Sequence, residues 1–238
     1  DPGRAKSLPW QNGFAGLAWN TEEIPAGIKS VDDLWKPALK GKVTVLSEMR
    51  DTMGILLLSQ GVDISSEDWG TDEYQAAIAV LEENVSSGQI FGIKGNEYMQ
   101  DFVSGDAIAA IAWSGDITVL NAEAGYEKWK FALPETGGTL WGDTFVVPMG
   151  SPRKANAETL MNYYYEPEVA AEVAAWVNYI TPVVGAQEVA AEKFPEVADN
   201  QLIFPDATTL SNAHIFRTLD SADDQAFNAE FQRVKLGA

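Results

Sequence analysis

Cysteine is absent from the 238 residues, which removes disulfides, thiolate metal sites and cysteine nucleophiles and leaves the redox compartment open. Histidine is nearly absent. His214 is the one example, in a stretch that reads as a loop without neighbouring ligands, so a surface role is expected. Positive charge is also scarce: 16 Lys and Arg face 35 Asp and Glu, a formal net charge of −19 with a pI near 4.2. Such a field repels phosphate, argues against nucleic acid and anionic membranes as partners, and favours cationic ones. No run of about eighteen apolar residues occurs, and no basic-then-apolar leader opens the sequence. Phosphate-loop, G-x-G-x-x-G, H-E-x-x-H and G-x-S-x-G patterns are missing, as are internal repeats and low-complexity tracts. The acidic string Asp220 to Asp224 lacks the glycine and closing glutamate of a calcium loop and reads as the cap of a last helix. Tyr163, Tyr164 and Tyr165 point three ways on a helix and do not make an iron site. No cofactor and no metal are expected.

What remains is apolar and aromatic. Hydrophobic residues make up 46% of the chain, with eight Trp, seven Tyr and ten Phe, enough for a packed core in one large domain or two small ones. Period and punctuation give alternating elements. FAGLAW (14–19), KVTVL (42–46), AIAAIAW (107–113), 129–133 and 145–147 read as strands. Helices are expected after Ser30, from Asp51 as cap to Gly61, over 72–85, 116–124, 155–165, 167–177, 185–193 and 222–235. The alternation predicts an α/β class with a largely parallel sheet. Ligands of open α/β sheets bind beyond the carboxyl ends of strands. Glu48 and Asp51 follow KVTVL, and Trp113 ends AIAAIAW.

The stretch GGTLWGDTFVVP (137–148) puts Trp141 two residues before Asp143. If it is extended, the two share a face, an arrangement suited to a bound cation. Paired carboxylates with indoles also describe glycosidases, in which Glu48 and Asp51, or either with Asp143, would serve as acid and nucleophile; that chemistry needs one carboxylate perturbed by burial.

The order GKVTVLSEMRD, AIAAIAWSGD, PETGGTLWGDTFVVP, VNYITPV and IFPDA resembles the extracytoplasmic polyamine-binding proteins of ABC importers, the spermidine/putrescine-binding family, from about Leu8 to the last residues. The resemblance implies an α/β, periplasmic binding protein-like II fold, two-lobed, with hinge strands and a ligand held in an aromatic and acidic cleft. It assigns 13–141 and 188–238 to the second lobe and 1–12 and 142–187 to the remainder of the first. The acidic pair falls on Glu48 and Asp51, with the family's two acids exchanged, and these would meet ligand ammonium groups. The family's indole falls on Trp113, its W-x-D on Trp141 and Asp143, and the tyrosine of its Y-x-T-P on Tyr179. A late glutamine of the family falls on Phe216, a departure that bears on which polyamine is taken. The implied role is a non-catalytic receptor that hands a small cation to the membrane subunits of an ABC transporter outside the cytoplasm; receptors for another cationic or polar solute are the alternative. The family's long opening segment has no counterpart here. The chain therefore reads as one complete lobe and part of another, with an exposed lobe face that favours self-association.

Overall fold

The longest strand comes first. β1 (Ser7–Asn20) is buried without alternation from Gly13 onward, the pattern of a strand covered on both faces. The chain divides within it: in the computed structural model, which describes residues 3–237, Asp1–Gly13 and Trp141–Leu210 make one compact unit, and Phe14–Leu140 with Ser211–Ala238 make the other.

In the larger unit, Ser30 is followed by two short 3-10 turns, Val31–Trp35 and Pro37–Leu39, where one short helix was expected. The Ser30 N–H donates to the Asp33 carboxylate at 3.1 Å. Then come β2 (Val43–Leu46), α1 (Met49–Ser59), α2 (Thr71–Ser86), β3 (Ile90–Lys94), α3 (Tyr98–Ser104), β4 (Ala109–Trp113), α4 (Ser114–Ala124), β5 (Trp129–Ala132) and the start of β6 (Gly138–Val146). β2 runs parallel to β3 and β4, but β1 runs antiparallel to both β4 and β5. The sheet is therefore mixed. The β2–α1–α2–β3 and β3–α3–β4 connections are helical crossovers, which parallel neighbours require; β1 enters from outside that series and needs none.

The core of this unit gathers Leu17, Val45, Met53, Leu57, Ile111 and Phe231. Phe227 stacks on Tyr74 with ring centroids 4.0 Å apart, while the Tyr74 hydroxyl donates to the Phe227 carbonyl at 2.8 Å. Phe216 meets Trp69 edge to face at 5.3 Å and packs on the core. Near the C-terminus, β7 (Ala213–His214) pairs with Gly138 and Thr139 of β6, so His214 lies in a short half-buried strand and not in a loop. Asp220 caps α10 (Ser221–Leu236), accepting from the N–H groups of Ala222 and Asp223 at 2.8 and 2.9 Å.

The smaller unit holds the rest of β6, α5 (Lys154–Tyr164), α6 (Pro167–Val177), α7 (Ala186–Lys193), α8 (Pro195–Ala198) and most of α9 (Ala207–Ser211). Its core is made of small residues. Ala170 and Ala171 of α6, Ala186 and Ala190 of α7 and Ala198 of α8 are buried together with Tyr164, so these helices pack closely. That packing moves a boundary: residues 188–210 belong to the smaller unit, where sequence reasoning put them with the larger. Tyr164 and Tyr165 donate their hydroxyls to the carbonyls of Trp10 and Pro9, and Tyr163 is exposed.

Candidate ligand-binding residues in each unit

β2 ends at Leu46, and the chain turns into α1 through Ser47 and Glu48. Glu48, not Asp51, occupies the N-cap position, its carboxylate accepting from the Arg50 N–H at a long 3.5 Å. The Arg50 guanidinium turns instead to Asp224 of α10, 2.6 Å away, and Glu48 is left exposed. Asp51, in the first turn of α1, faces inward and is 4% exposed. It caps nothing because both of its oxygens are taken: the Trp113 indole Nε1–H donates to Oδ2 at 2.8 Å and the Thr139 hydroxyl to Oδ1 at 2.7 Å.

Burial penalises the charged form of this carboxyl and raises its pKa to about 6, against the lowering effect of the two hydrogen bonds and with a smaller upward push from Glu48. Asp51 is thus less a free ligand-pairing acid than the post on which Trp113 is hung. Trp113 sits at the carboxyl end of β4, half-buried. Its backbone N–H donates to the Tyr98 hydroxyl at 3.2 Å, and that hydroxyl donates to Asp116 at 2.9 Å, which also accepts from Asn96 at 2.9 Å. Indole and backbone are therefore fixed from two sides.

Gly54 makes the Thr139 contact geometrically available. A methyl group on its α-carbon would stand 2.6 Å from Thr139 Cγ2 and 3.3 Å from a Phe216 ring atom. The glycine interrupts a helix of otherwise good formers because the neighbouring strand comes too close for a side chain.

In the smaller unit, Trp141 and Asp143 both lie in β6, so the extended backbone expected of this stretch is present and the two project on one side. Asp143 is exposed and Trp141 half-buried. The Trp141 ring meets Tyr179 edge to face, centroids 4.9 Å apart and planes at 73°. Tyr179 follows α6, whose end is set by Asn178 in the left-handed conformation, and it precedes Ile180, which is bridged to Asn12 by hydrogen bonds of 2.9 and 2.8 Å. A Cβ at Gly13 would come within 2.3 Å of the Trp141 ring and 2.7 Å of the Tyr179 ring. The aromatic pair lies directly on bare backbone.

Sequence reasoning missed Thr139, Tyr98, Gly13 and Gly54. Thr139 meets Asp51 across 88 residues and Tyr98 meets Trp113 across 15, so no local pattern could have named them.

A profile of the bacterial extracellular solute-binding protein family matches residues 2–204. The chain belongs to that family. Among individual members of this solute-binding family it is similar to the spermidine/putrescine-binding periplasmic proteins of Escherichia coli (strain K12), 27% identical over 240 residues, and of Salmonella typhimurium, 29% identical over 241. Each match takes in 100% of this chain and 66% of the relative, so the chain spans just under two thirds of their length. The solved structure of the spermidine/putrescine ABC transporter substrate-binding protein from Streptococcus pneumoniae shares the fold, with a TM-score of 0.80 at 23% identity, covering 99% of this chain and 70% of that one. The solute-binding architecture of ABC substrate-binding proteins is therefore the fold of this chain.

Proposed function

We propose that this chain is the polyamine-recognising part of a non-catalytic solute receptor that serves an ABC importer outside the cytoplasm. The observation that carries the reading is that Trp141 and the exposed Asp143 lie two residues apart on one extended strand of the smaller unit, while in the larger unit the Trp113 indole is held by Asp51, three residues after the exposed Glu48. Rings of this kind attract ammonium groups and cover methylene spacers, gaining roughly 0.5–1 kcal/mol when exposed and about 2 when desolvated. Carboxylates add charge-assisted hydrogen bonds. Neutral sugars would call for amide and hydroxyl partners more than bare acids.

In this reading Glu48 of the larger unit and Asp143 of the smaller are each residues for a cationic nitrogen, Trp113 in the one and Trp141 with Tyr179 in the other are rings for methylene groups, and Asp51 positions Trp113. Asp51 has the raised pKa of about 6 that a glycosidase acid would need. Its two oxygens are nevertheless committed to Trp113 and Thr139, which disfavours proton delivery to a glycosidic oxygen.

Isothermal titration of the chain with putrescine, spermidine and a neutral sugar is the test. Polyamine heat that saturates, with Asp143→Asn weakening it about fivefold, fits the proposal. Affinity untouched by Asp143→Asn and by Glu48→Gln removes it, and competition by amino acids or sugars redirects it to another solute.

A further inference from the structure

Arg50 is the only cation between Val43 and Ser59, and it stands in the first turn of α1, two residues after Glu48. That is a poor place for a positive charge. The amino end of a helix carries a partial positive charge of its own, so a guanidinium there needs an acid to hold it. Asp51 is buried and committed to Trp113 and Thr139, which leaves two exposed acids. Glu48 is the local one. As N-cap it folds its carboxylate back over the first turn, 3.5 Å from the Arg50 backbone N–H. Asp224 is the distant one, 174 residues further along the chain in the first turn of α10. Its Oδ1 accepts from the Arg50 guanidinium at 2.6 Å and from the Asn228 amide at 3.2 Å, while Asn228 also donates to the Asp224 carbonyl at 2.8 Å. Both side chains of the Arg50–Asp224 pair are 41% exposed, so the pair is weak enough to be exchanged for a nearer acid. All four residues lie in the larger unit.

We infer that Asp224 is a positioning residue for Glu48: by holding the Arg50 guanidinium on α10 it keeps the chain's own cation off the carboxylate that a ligand ammonium takes. The inference rests on the polyamine reading of Glu48 given above. A guanidinium tethered two residues from Glu48 competes for it at an effective concentration of about millimolar or more, and a free cation binds only against that competition. The distant acid removes the competitor. Asp224 itself need not touch the ligand.

Calorimetric titration of the whole chain with putrescine, at one low ionic strength, tests this in four proteins. Asp224→Ala should weaken binding about threefold, the factor that an exposed ion pair of modest strength supplies as a competitor. Arg50→Gln should bind at least as tightly as wild type, and Asp224→Ala with Arg50→Gln should match Arg50→Gln alone, because without the guanidinium nothing remains to be held back. The inference is overturned if Asp224→Ala leaves affinity unchanged, if Arg50→Gln weakens binding, or if the double variant falls midway between the single ones, since additive effects mean that each charge acts on the ligand by itself. A second readout needs no ligand. The Arg50 Nε–H resonance, assigned by its loss in Arg50→Lys, should ignore Glu48→Gln in the otherwise wild-type chain and shift on Glu48→Gln in the Asp224→Ala background. Indifference in both backgrounds shows that the released guanidinium does not go to Glu48 and defeats the inference, whereas a chain that passes this test and gives no putrescine heat defeats the polyamine reading instead.

Discussion

Asp51→Asn is expected to stabilise the protein at neutral pH, although it removes a charge held by two hydrogen bonds. Folding raises the Asp51 pKa from 3.8 to about 6. A raised folded-state pKa gives stability that is fully present below pH 3.8 and is lost as the pH climbs through about 6. A shift of this size corresponds to about 3 kcal/mol, at 1.36 kcal/mol per unit. Asparagine cannot ionise, yet it keeps the geometry: its Oδ1 accepts from the Trp113 indole, and its amide donates to the Thr139 hydroxyl, which can accept. Urea unfolding of wild type and variant from pH 4 to pH 8 isolates the effect, since every other group titrates in both proteins. The stability of Asp51→Asn relative to wild type should rise by about 2–3 kcal/mol between pH 4 and pH 7.5, with the steep part between the two pKa values. A pH-independent difference, or a variant that loses ground as pH rises, would refute the assignment of Asp51 as a buried acid that ionises at a cost.

Thr139→Val removes one donor to Asp51 and should destabilise the protein by about 1–2 kcal/mol at pH 7, with a smaller loss at pH 4, where the carboxyl is protonated and needs the donor less; urea midpoints at the two pH values check this. Gly54→Ala improves helix propensity by about 1 kcal/mol but drives a methyl into Thr139, so a net loss of about 1–3 kcal/mol is expected, and a stabilised variant would show the contact to be slack. Gly13→Ala should displace the Trp141 and Tyr179 rings, read as a change in near-ultraviolet circular dichroism and a loss of about 1–3 kcal/mol. An unchanged aromatic spectrum would contradict the close approach.

Repeating patterns made much of the fold legible. The apolar spacing of 72–85 predicted α2 (Thr71–Ser86), Pro167 fixed the start of α6, and KVTVL and AIAAIAW became β2 and β4. β3 and α3 escaped notice because Gly92 breaks the strand's short alternation and α3 has only seven residues. The expected boundary at 187/188 failed for a related reason. An alanine face on α7 carries little hydrophobic signal, and its partners, Ala170 and Ala171, are distant in sequence. For the candidate residues, the sequence offered types but not surroundings. Asp51 looked like a helix cap because acids usually are one at that point; only tertiary contacts with Trp113 and Thr139 turn it inward.

The inward turn of Asp51 bears on ligand binding as well as on stability. A carboxyl that ionises only near pH 6 is responsive to any positive charge brought close to it, because a neighbouring cation favours the anion and lowers the pKa again. By linkage, a ligand that lowers this pKa binds more tightly as the pH rises through 6 and releases protons on binding there. Glu48 and Asp143 are both exposed. The pH dependence of polyamine affinity therefore separates the roles: a slope centred near 6 that vanishes in Asp51→Asn would mean that the cation feels the buried acid behind Trp113, whereas a flat profile in both proteins would mean that Asp51 does no more than hold the ring in place.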